Sequence, residues 1–150
     1  MQKIRILCVG KIKESYFREA MEEYLKRIGR YARISVEEAP ECPLPERAVE
    51  REGDALLPRL SAGKTVVLAV EGRGCSSEEL AAYLKKAKDK GEDVTFVIGG
   101  SEGLDGRIKQ KADELLSFSR MTLPHTLMRV VLCEQIYRAL TITAGAKYHK

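Results

Sequence analysis

Hydrophobic residues follow two different periods along this chain, and the change of period marks its structural elements. Residues 4–9, 65–70 and 94–98 are almost continuously apolar, which is typical of strands that are covered on both faces in a parallel sheet. Residues 33–38 instead alternate Ile34 and Val36 with polar side chains, as a half-buried strand does. A shorter apolar run at residues 115–118 is a further candidate strand.

Between these strands, apolar residues recur at steps of three and four, the spacing of amphipathic helices. Five segments share this spacing and are predicted to be helical: residues 15–28, 46–60, 77–90, 108–112 and the long stretch after residue 124. Ser15 is the predicted N-cap of the first helix, and Pro124 suits the first turn of the last because its missing N–H costs little there. The apolar stripe of this last helix is so wide that we expect it to pack on the sheet and on a partner subunit.

The alternation of strands and helices predicts an α/β protein with a mainly parallel sheet flanked by helices, and the length suits a single domain over residues 1–150. Residues 40–45 contain three prolines and are predicted to be an irregular loop, and residues 71–74 a flexible one.

A glycine-rich segment, residues 99–103, directly follows a buried strand. Ligands of α/β proteins bind at the carboxyl ends of parallel strands, and glycine lets the backbone approach them. No phosphate-binding motif is present, however, and Glu102 would repel a phosphate. The residues alone therefore leave a tight turn and a ligand site both open.

Composition narrows the function classes only slightly. The chain is 44% hydrophobic and 32% charged, and its net charge of +4 permits an anionic partner such as RNA without requiring one. Four scattered cysteines have neither metal-ligand nor disulfide spacing, so we expect reduced thiols and no metal. The apolar runs are too short for a membrane span and the first residues do not form a signal peptide, which predicts a cytoplasmic protein.

Three segments, read together, resemble a known family: residues 97–103 (VIGGSEG), residues 116–125 (LSFSRMTLPH), and residues 134–139 (EQIYRA) with Tyr148 and His149. Residues 9–14 (VGKIKE) agree, so the match extends over nearly the whole chain. The sequence is similar to the RlmH family, small methyltransferases of the SPOUT superfamily that methylate N3 of a pseudouridine in 23S ribosomal RNA. Ala69 and Lys147 stand where family members often carry Asp and Pro.

The resemblance implies a C-terminal trefoil knot, a homodimer, and S-adenosyl-L-methionine (SAM) as the methyl donor. It implies a substrate in the large ribosomal subunit or the whole ribosome. A non-catalytic ribosome-associated binding or assembly factor on the same fold is the alternative. Carried over to this chain, the resemblance assigns the cofactor to the following residues: Leu68, Gly72, Gly100, Ser119, Arg120, Met121, Thr122, Leu123 and Pro124.

The predicted catalytic residues are His149, Tyr148 and Arg138, with His125 as a further candidate. A histidine can act as a base near neutral pH, a tyrosine can stack on a nucleobase, and an arginine can stabilise negative charge on a uracil oxygen. Each also has an ordinary structural role to weigh. His125 could cap or pack the helix start, Arg138 could pair with Glu134 one turn away, and the last residues could be a frayed terminus.

Overall fold

The computed structural model describes all 150 residues. Its elements follow one another in a β/α order: β1 (Lys3–Val9), α1 (Ser15–Ile28), β2 (Arg33–Ala39), α2 (Pro45–Leu56), a single 3₁₀ turn (Leu57–Arg59), β3 (Lys64–Gly74), α3 (Ser77–Asp89), β4 (Val94–Val97), α4 (Gly106–Gln110), β5 (Glu114–Ser117) and α5 (His125–Ala144). The predicted α/β class is confirmed, with helices on both faces of the sheet.

The five strands form one parallel sheet in the order β2-β1-β4-β3-β5. The strands predicted to be buried, β1, β4 and β3, are the three inner ones, because each has a neighbour on both sides. The half-buried pattern of β2 fits its place at the edge. Since all strands are parallel, all their carboxyl ends lie along one edge of the sheet.

Alternate side chains of each strand enter different cores. One face of β1, with Ile4 and Ile6, joins the larger core under α1, α3 and α5. The other face, with Leu7 and Val9, joins a smaller core under α2 and α4. This is the three-layer arrangement expected for a parallel sheet, and it leaves the carboxyl edge free for a site.

Three local predictions were wrong. Ser15 is the first helical residue but not the cap, because Glu14 occupies the N-cap position and no side chain caps the helix. The predicted helix over residues 46–60 ends at Leu56 and gives way to the 3₁₀ turn around Pro58, whose ring cannot continue an α-helix.

The third error concerns residues 71–74, which extend β3 rather than forming a flexible loop. The pairing of β3 with β5 shifts register between Leu68 and Arg73. Gly72 lies in this irregular stretch, where an added Cβ would come within 2.6 Å of the Leu116 carbonyl carbon. Only glycine fits so close to the neighbouring backbone.

Two further features concern membrane and thiol chemistry. No helix combines the length and the apolar character that crossing a membrane needs.

All four cysteines are free, with Cys8 and Cys133 buried, and burial raises the pKa of the Cys133 thiol to about 12. These two thiols are therefore protonated core side chains at neutral pH.

Candidate active site

A cleft of about 620 Å³ opens at the carboxyl ends of β3, β4 and β5. Its volume falls within the range of small-molecule sites. Three stretches supply most of its wall: the end of β3 (residues 68–71), the glycine-rich segment after β4 (residues 98–101), and the segment from the end of β5 into α5 (residues 117–125 without Arg120). The two loops that carry the family resemblance therefore meet in one cavity.

The segment after β4 presents backbone to the cleft. Its turn is closed by the Gly103 N–H, which donates to the Gly100 carbonyl at 3.1 Å, and Gly103 has a φ of 101°, where a side chain would be strained. At Gly100 the lack of a side chain is required for another reason. A Cβ there would lie 2.6 Å from Oε1 of Glu52.

The segment between β5 and α5 is folded by its own serines. The Ser117 hydroxyl donates to the Ser119 carbonyl at 2.9 Å, and the Ser119 hydroxyl accepts from the Met121 N–H at 2.9 Å. These turns bring Thr122 and Leu123 into the wall of the cleft, and Pro124 at the N-cap position starts α5. Met121 is 77% exposed, so its thioether is available to a ligand.

Seven of the nine residues assigned to the cofactor line this cleft: Leu68, Gly100, Ser119, Met121, Thr122, Leu123 and Pro124. Gly72 and Arg120 are not in the wall. Gly72 instead lies against the backbone of β5, where its role is to allow close strand approach.

The structure adds an ion pair to the cleft that the sequence did not suggest. The Lys109 ammonium lies 2.5 Å from Oε1 of Glu71, and both residues are in the wall. The lysine lowers the pKa of the Glu71 carboxyl. Neither residue belongs to a motif, and they meet only because α4 packs beside the end of β3.

His125 also lines the cleft, at the first turn of α5. Burial, and then the neighbouring Arg129 charge, lower the pKa of His125 below its ordinary value, against the opposing carboxylates of Glu41 and Glu14. A depressed pKa favours the neutral form of the imidazole.

The three predicted catalytic side chains gather elsewhere, around Glu134 in the middle of α5. Arg138 donates to both carboxylate oxygens of Glu134, at 3.1 and 2.7 Å, as an i,i+4 pair should. The Tyr148 hydroxyl donates to Oε2 of Glu134 at 3.1 Å, and Arg138 stacks 4.8 Å from the Tyr148 ring centroid. We call Glu134, Arg138, Tyr148 and His149 the tail cluster.

His149 completes the tail cluster through both ring nitrogens. Nη1 of Arg138 lies 3.1 Å from Nδ1, and Oε1 of Glu78 lies 2.6 Å from Nε2. Because arginine only donates, Nδ1 must accept, and Nε2–H then donates to Glu78. The terminal residues are thus fixed by a carboxylate on α3 that no sequence signal had singled out.

Tyr148 is a hydrogen-bond donor in this cluster. Burial first, and then hydrogen bonds with Tyr24 and the charge of Glu134, raise its pKa to about 12. The phenol is therefore protonated at neutral pH and cannot serve as the base.

The cleft and the tail cluster do not meet within one chain. His125 and Arg138 stand at opposite parts of α5, and thirteen residues of helix span about 20 Å. The structure therefore brings seven of the nine residues assigned to the cofactor together in the cleft, and the three catalytic candidates together in the tail cluster.

Fold and cleft together define the class of protein, a parallel α/β domain with a cofactor-sized site at the carboxyl ends of its inner strands. The family model for the predicted SPOUT methyltransferases matches residues 2–149. The chain belongs to this SPOUT methyltransferase family, so the resemblance found in the sequence is confirmed.

Curated relatives match over their whole length. The ribosomal RNA large subunit methyltransferase H of Streptococcus uberis is 44% identical over 158 residues, covering 99% of this chain and 99% of the relative. The protein of the same name from Caldicellulosiruptor saccharolyticus is 46% identical over 153 residues, covering 98% and 99%.

Among solved structures, a Legionella pneumophila methyltransferase in complex with bound SAM matches with a TM-score of 0.54. It is 10% identical in sequence, and the match covers 95% of this chain and 66% of that one. At this identity the likeness concerns the fold alone.

Proposed function

We propose that this protein is a SAM-dependent methyltransferase that methylates N3 of a pseudouridine in large-subunit ribosomal RNA. The observation that carries the proposal is the cleft, because two of the segments that bear the family resemblance, residues 97–103 and 116–125, supply much of its wall. Relatives of 44% and 46% identity that carry the name ribosomal RNA large subunit methyltransferase H support the RNA substrate. The ribosome as substrate also implies a cytoplasmic protein.

The cleft fits the cofactor in size and chemistry. Backbone groups of the glycine-rich segment can hydrogen-bond the neutral adenine and ribose, and Leu68, Met121 and Leu123 offer apolar contact. When bound, SAM supplies an electrophilic methyl group on a sulfonium. The chain must then orient the base in line with that methyl and remove the N3 proton.

Residues of the tail cluster suit the removal of the N3 proton from the base. His149 Nδ1 has a lone pair directed at Arg138, and it becomes a proton acceptor if Arg138 turns to the substrate. The Arg138 guanidinium can then stabilise negative charge on a uracil oxygen, while the protonated Tyr148 donates a hydrogen bond or stacks on the base. No metal takes part in this scheme.

A second subunit can bring these groups to the cleft. Because Arg138 lies about 20 Å along α5 from His125 in the cleft wall, the proposal requires a homodimer in which each tail serves the partner's cleft. An antiparallel pairing of two α5 helices about a two-fold axis supplies this geometry. The half-buried apolar residues of α5, such as Val130, Leu140 and Ile142, can pack at such an interface.

We also propose that the C-terminal part of the chain forms a trefoil knot. The sheet order carries the chain from β4 past β3 to β5 at the edge, and α5 then returns across the sheet to pack on α1 and α3. This long return is the path that a threaded C-terminal segment would take.

Mixing two inactive variants tests cofactor, catalysis and dimer together. Gly100→Val removes cofactor binding and His149→Ala removes the tail base, so neither homodimer should methylate ribosomes from a strain lacking the modification. After the two are unfolded and refolded together, about a quarter of the sites combine an intact cleft with an intact partner tail. Recovery of about that fraction of wild-type activity is expected.

The same experiment has two contrary outcomes. No recovery, with mixed dimers verified by mass spectrometry, would place cleft and tail of one chain in one site. A wild-type protein that binds SAM and ribosomes but transfers no methyl group would instead indicate a non-catalytic assembly factor.

A further inference from the structure

Glu52 of α2 carries a buried carboxyl group that has no role in the proposed chemistry. It is 4% exposed, although acidic side chains are rarely buried without partners. Its Oε2 accepts from the Cys42 N–H at 3.0 Å, which ties α2 to the proline-rich loop. Its Oε1 is buried and has no hydrogen-bond partner.

This free oxygen lies directly behind the wall of the cleft. The position that a Cβ of Gly100 would occupy is 2.6 Å from Oε1, and Gly100 lines the cleft. The N–H groups of Gly99 and Ser101 donate to no other backbone group, and Gly100 is in an isolated antiparallel bridge whose one short hydrogen bond runs from the Gly103 N–H to the Gly100 carbonyl. An unpaired acceptor therefore lies beside a segment whose backbone has few hydrogen bonds of its own.

The helix that carries Glu52 is held firmly in place. Gly53 packs against Asp105, which caps α4 by accepting from the Arg107 N–H at 2.8 Å, and Arg107 bridges back to Asp54 of α2 at 2.8 Å. If Oε1 is to gain a hydrogen-bond partner, we therefore expect the glycine-rich segment to move and α2 to stay in place.

We propose that Glu52 is a positioning residue for the cofactor cleft, whose free Oε1 receives an N–H of Gly100 or Ser101 when a ligand fills the cleft. This role refines the description of the cofactor site and rests on the proposed function. Glu52 does not touch the cofactor, since the glycine-rich segment stands between them.

The physical reason is the free-energy cost of leaving a buried acceptor without a hydrogen-bond partner. Burial raises the pKa of Glu52, as do Glu41 and Glu102, while the Cys42 N–H opposes the rise. A ligand on the front of Gly100 holds the segment against Glu52 on its back. Pairing Oε1 then adds to the affinity for the ligand.

The test uses S-adenosylhomocysteine (SAH) as the probe and three variants of the full-length protein. Glu52→Met keeps the length of the side chain and removes both oxygens, and Glu52→Gln restores one acceptor. Glu50→Met is the matched control, because Glu50 is exposed on the same helix. Calorimetry measures the affinity for SAH, and amide hydrogen exchange by NMR follows Gly100 and Ser101 with and without SAH.

We expect Glu52→Met to bind SAH about tenfold more weakly, the loss of one charge-assisted hydrogen bond. SAH should protect the Gly100 and Ser101 amides in the wild type and in Glu50→Met but not in Glu52→Met. Glu52→Gln should recover part of both effects, whereas a residue that serves only packing would tolerate Met as well as Gln.

Wild-type affinity together with wild-type amide protection in Glu52→Met would overturn the positioning role and leave the proposed function intact. A wild-type protein that fails to bind SAH at all would overturn the proposed function instead. The two failures are therefore distinguishable.

Discussion

The beginning and the later part of α5 have different chemical surroundings. At its beginning, His125 and the preceding turns border a cleft whose wall is largely backbone and apolar side chain. From its middle onwards, Glu134 and Arg138 join Tyr148 in a network of charged and aromatic groups. The first end suits a flat, mostly neutral ligand that is bound by shape, and the second suits a polar base with protons to donate and accept.

The two ends also differ in how they are anchored. At the cleft end, Arg129 is fully buried and pairs with Glu38 at 2.9 Å while donating to the Gly10 carbonyl at 2.7 Å. In the tail cluster, Arg138 retains 25% exposure in its pair with Glu134. A buried anchor at the cleft and a partly exposed tail cluster agree with the proposed site shared between two subunits.

The largest expected effect concerns this anchoring. Arg129→Met should lower the free energy of unfolding by about 3–5 kcal/mol, because it leaves Glu38 and buried carbonyls without their partner. Arg138→Met should cost about 1 kcal/mol or less, since the pair it removes is partly solvated. Urea unfolding of both variants measures the difference, and equal losses would contradict it.

The next effect concerns the cleft alone. Gly100→Val should weaken SAH binding about a hundredfold, because its side chain must displace Glu52 or push the segment into the cleft. Gly74→Val is the control, since a Cβ at Gly74 meets no atom within 4 Å. If calorimetry finds that the two variants bind SAH equally well, Gly100 has no part in the cleft.

A smaller effect is expected at the tail cluster. Glu134→Gln should reduce turnover about tenfold while leaving SAH affinity unchanged, because it frees Arg138 and Tyr148 without touching the cleft. Glu23→Gln removes a similar i,i+4 contact to Arg27, 2.7 Å long and exposed, and should have no effect. A loss of SAH affinity in Glu134→Gln would mean that the two ends are not independent.

The smallest effect is a pH dependence at the cleft end. The lowered pKa of His125 means that the unfolded chain binds this proton at a higher pH than the folded one. Stability is therefore retained above the unfolded pKa and declines as the pH falls from about 7 to 5. Thermal melts should show a shallower decline for His125→Gln, and parallel curves would exclude His125 as the source.

Local signals accounted for much of the cleft. The sequence predicted the buried strands β1, β3 and β4 and the glycine-rich segment after β4. These features could be predicted because strand burial and glycine turns depend on neighbours in sequence. Parallel strands then place their carboxyl ends at one edge, so Leu68 and Gly100 could be expected to lie close together. The cofactor itself came from the family resemblance and not from these patterns.

Other features depended on contacts between distant residues. Residues 71–74 read as a loop, but their strand structure comes from pairing with β5 across a register shift. His149 would pass for a frayed end, yet its partner Glu78 lies 71 residues away. Glu52 looks like one more charge on a polar helix, and only the packing of α2 behind Gly100 buries it.

The sequence by itself determined the order of elements, the buried strands and the loops of the cleft, since periodicity and backbone preference act over a few residues. The tertiary structure decided that Tyr148 and His149 fold back onto Glu134 and Glu78, and that a carboxyl lies unpaired behind the cleft wall. Such placements arise from packing between segments remote in the chain, which no local pattern encodes.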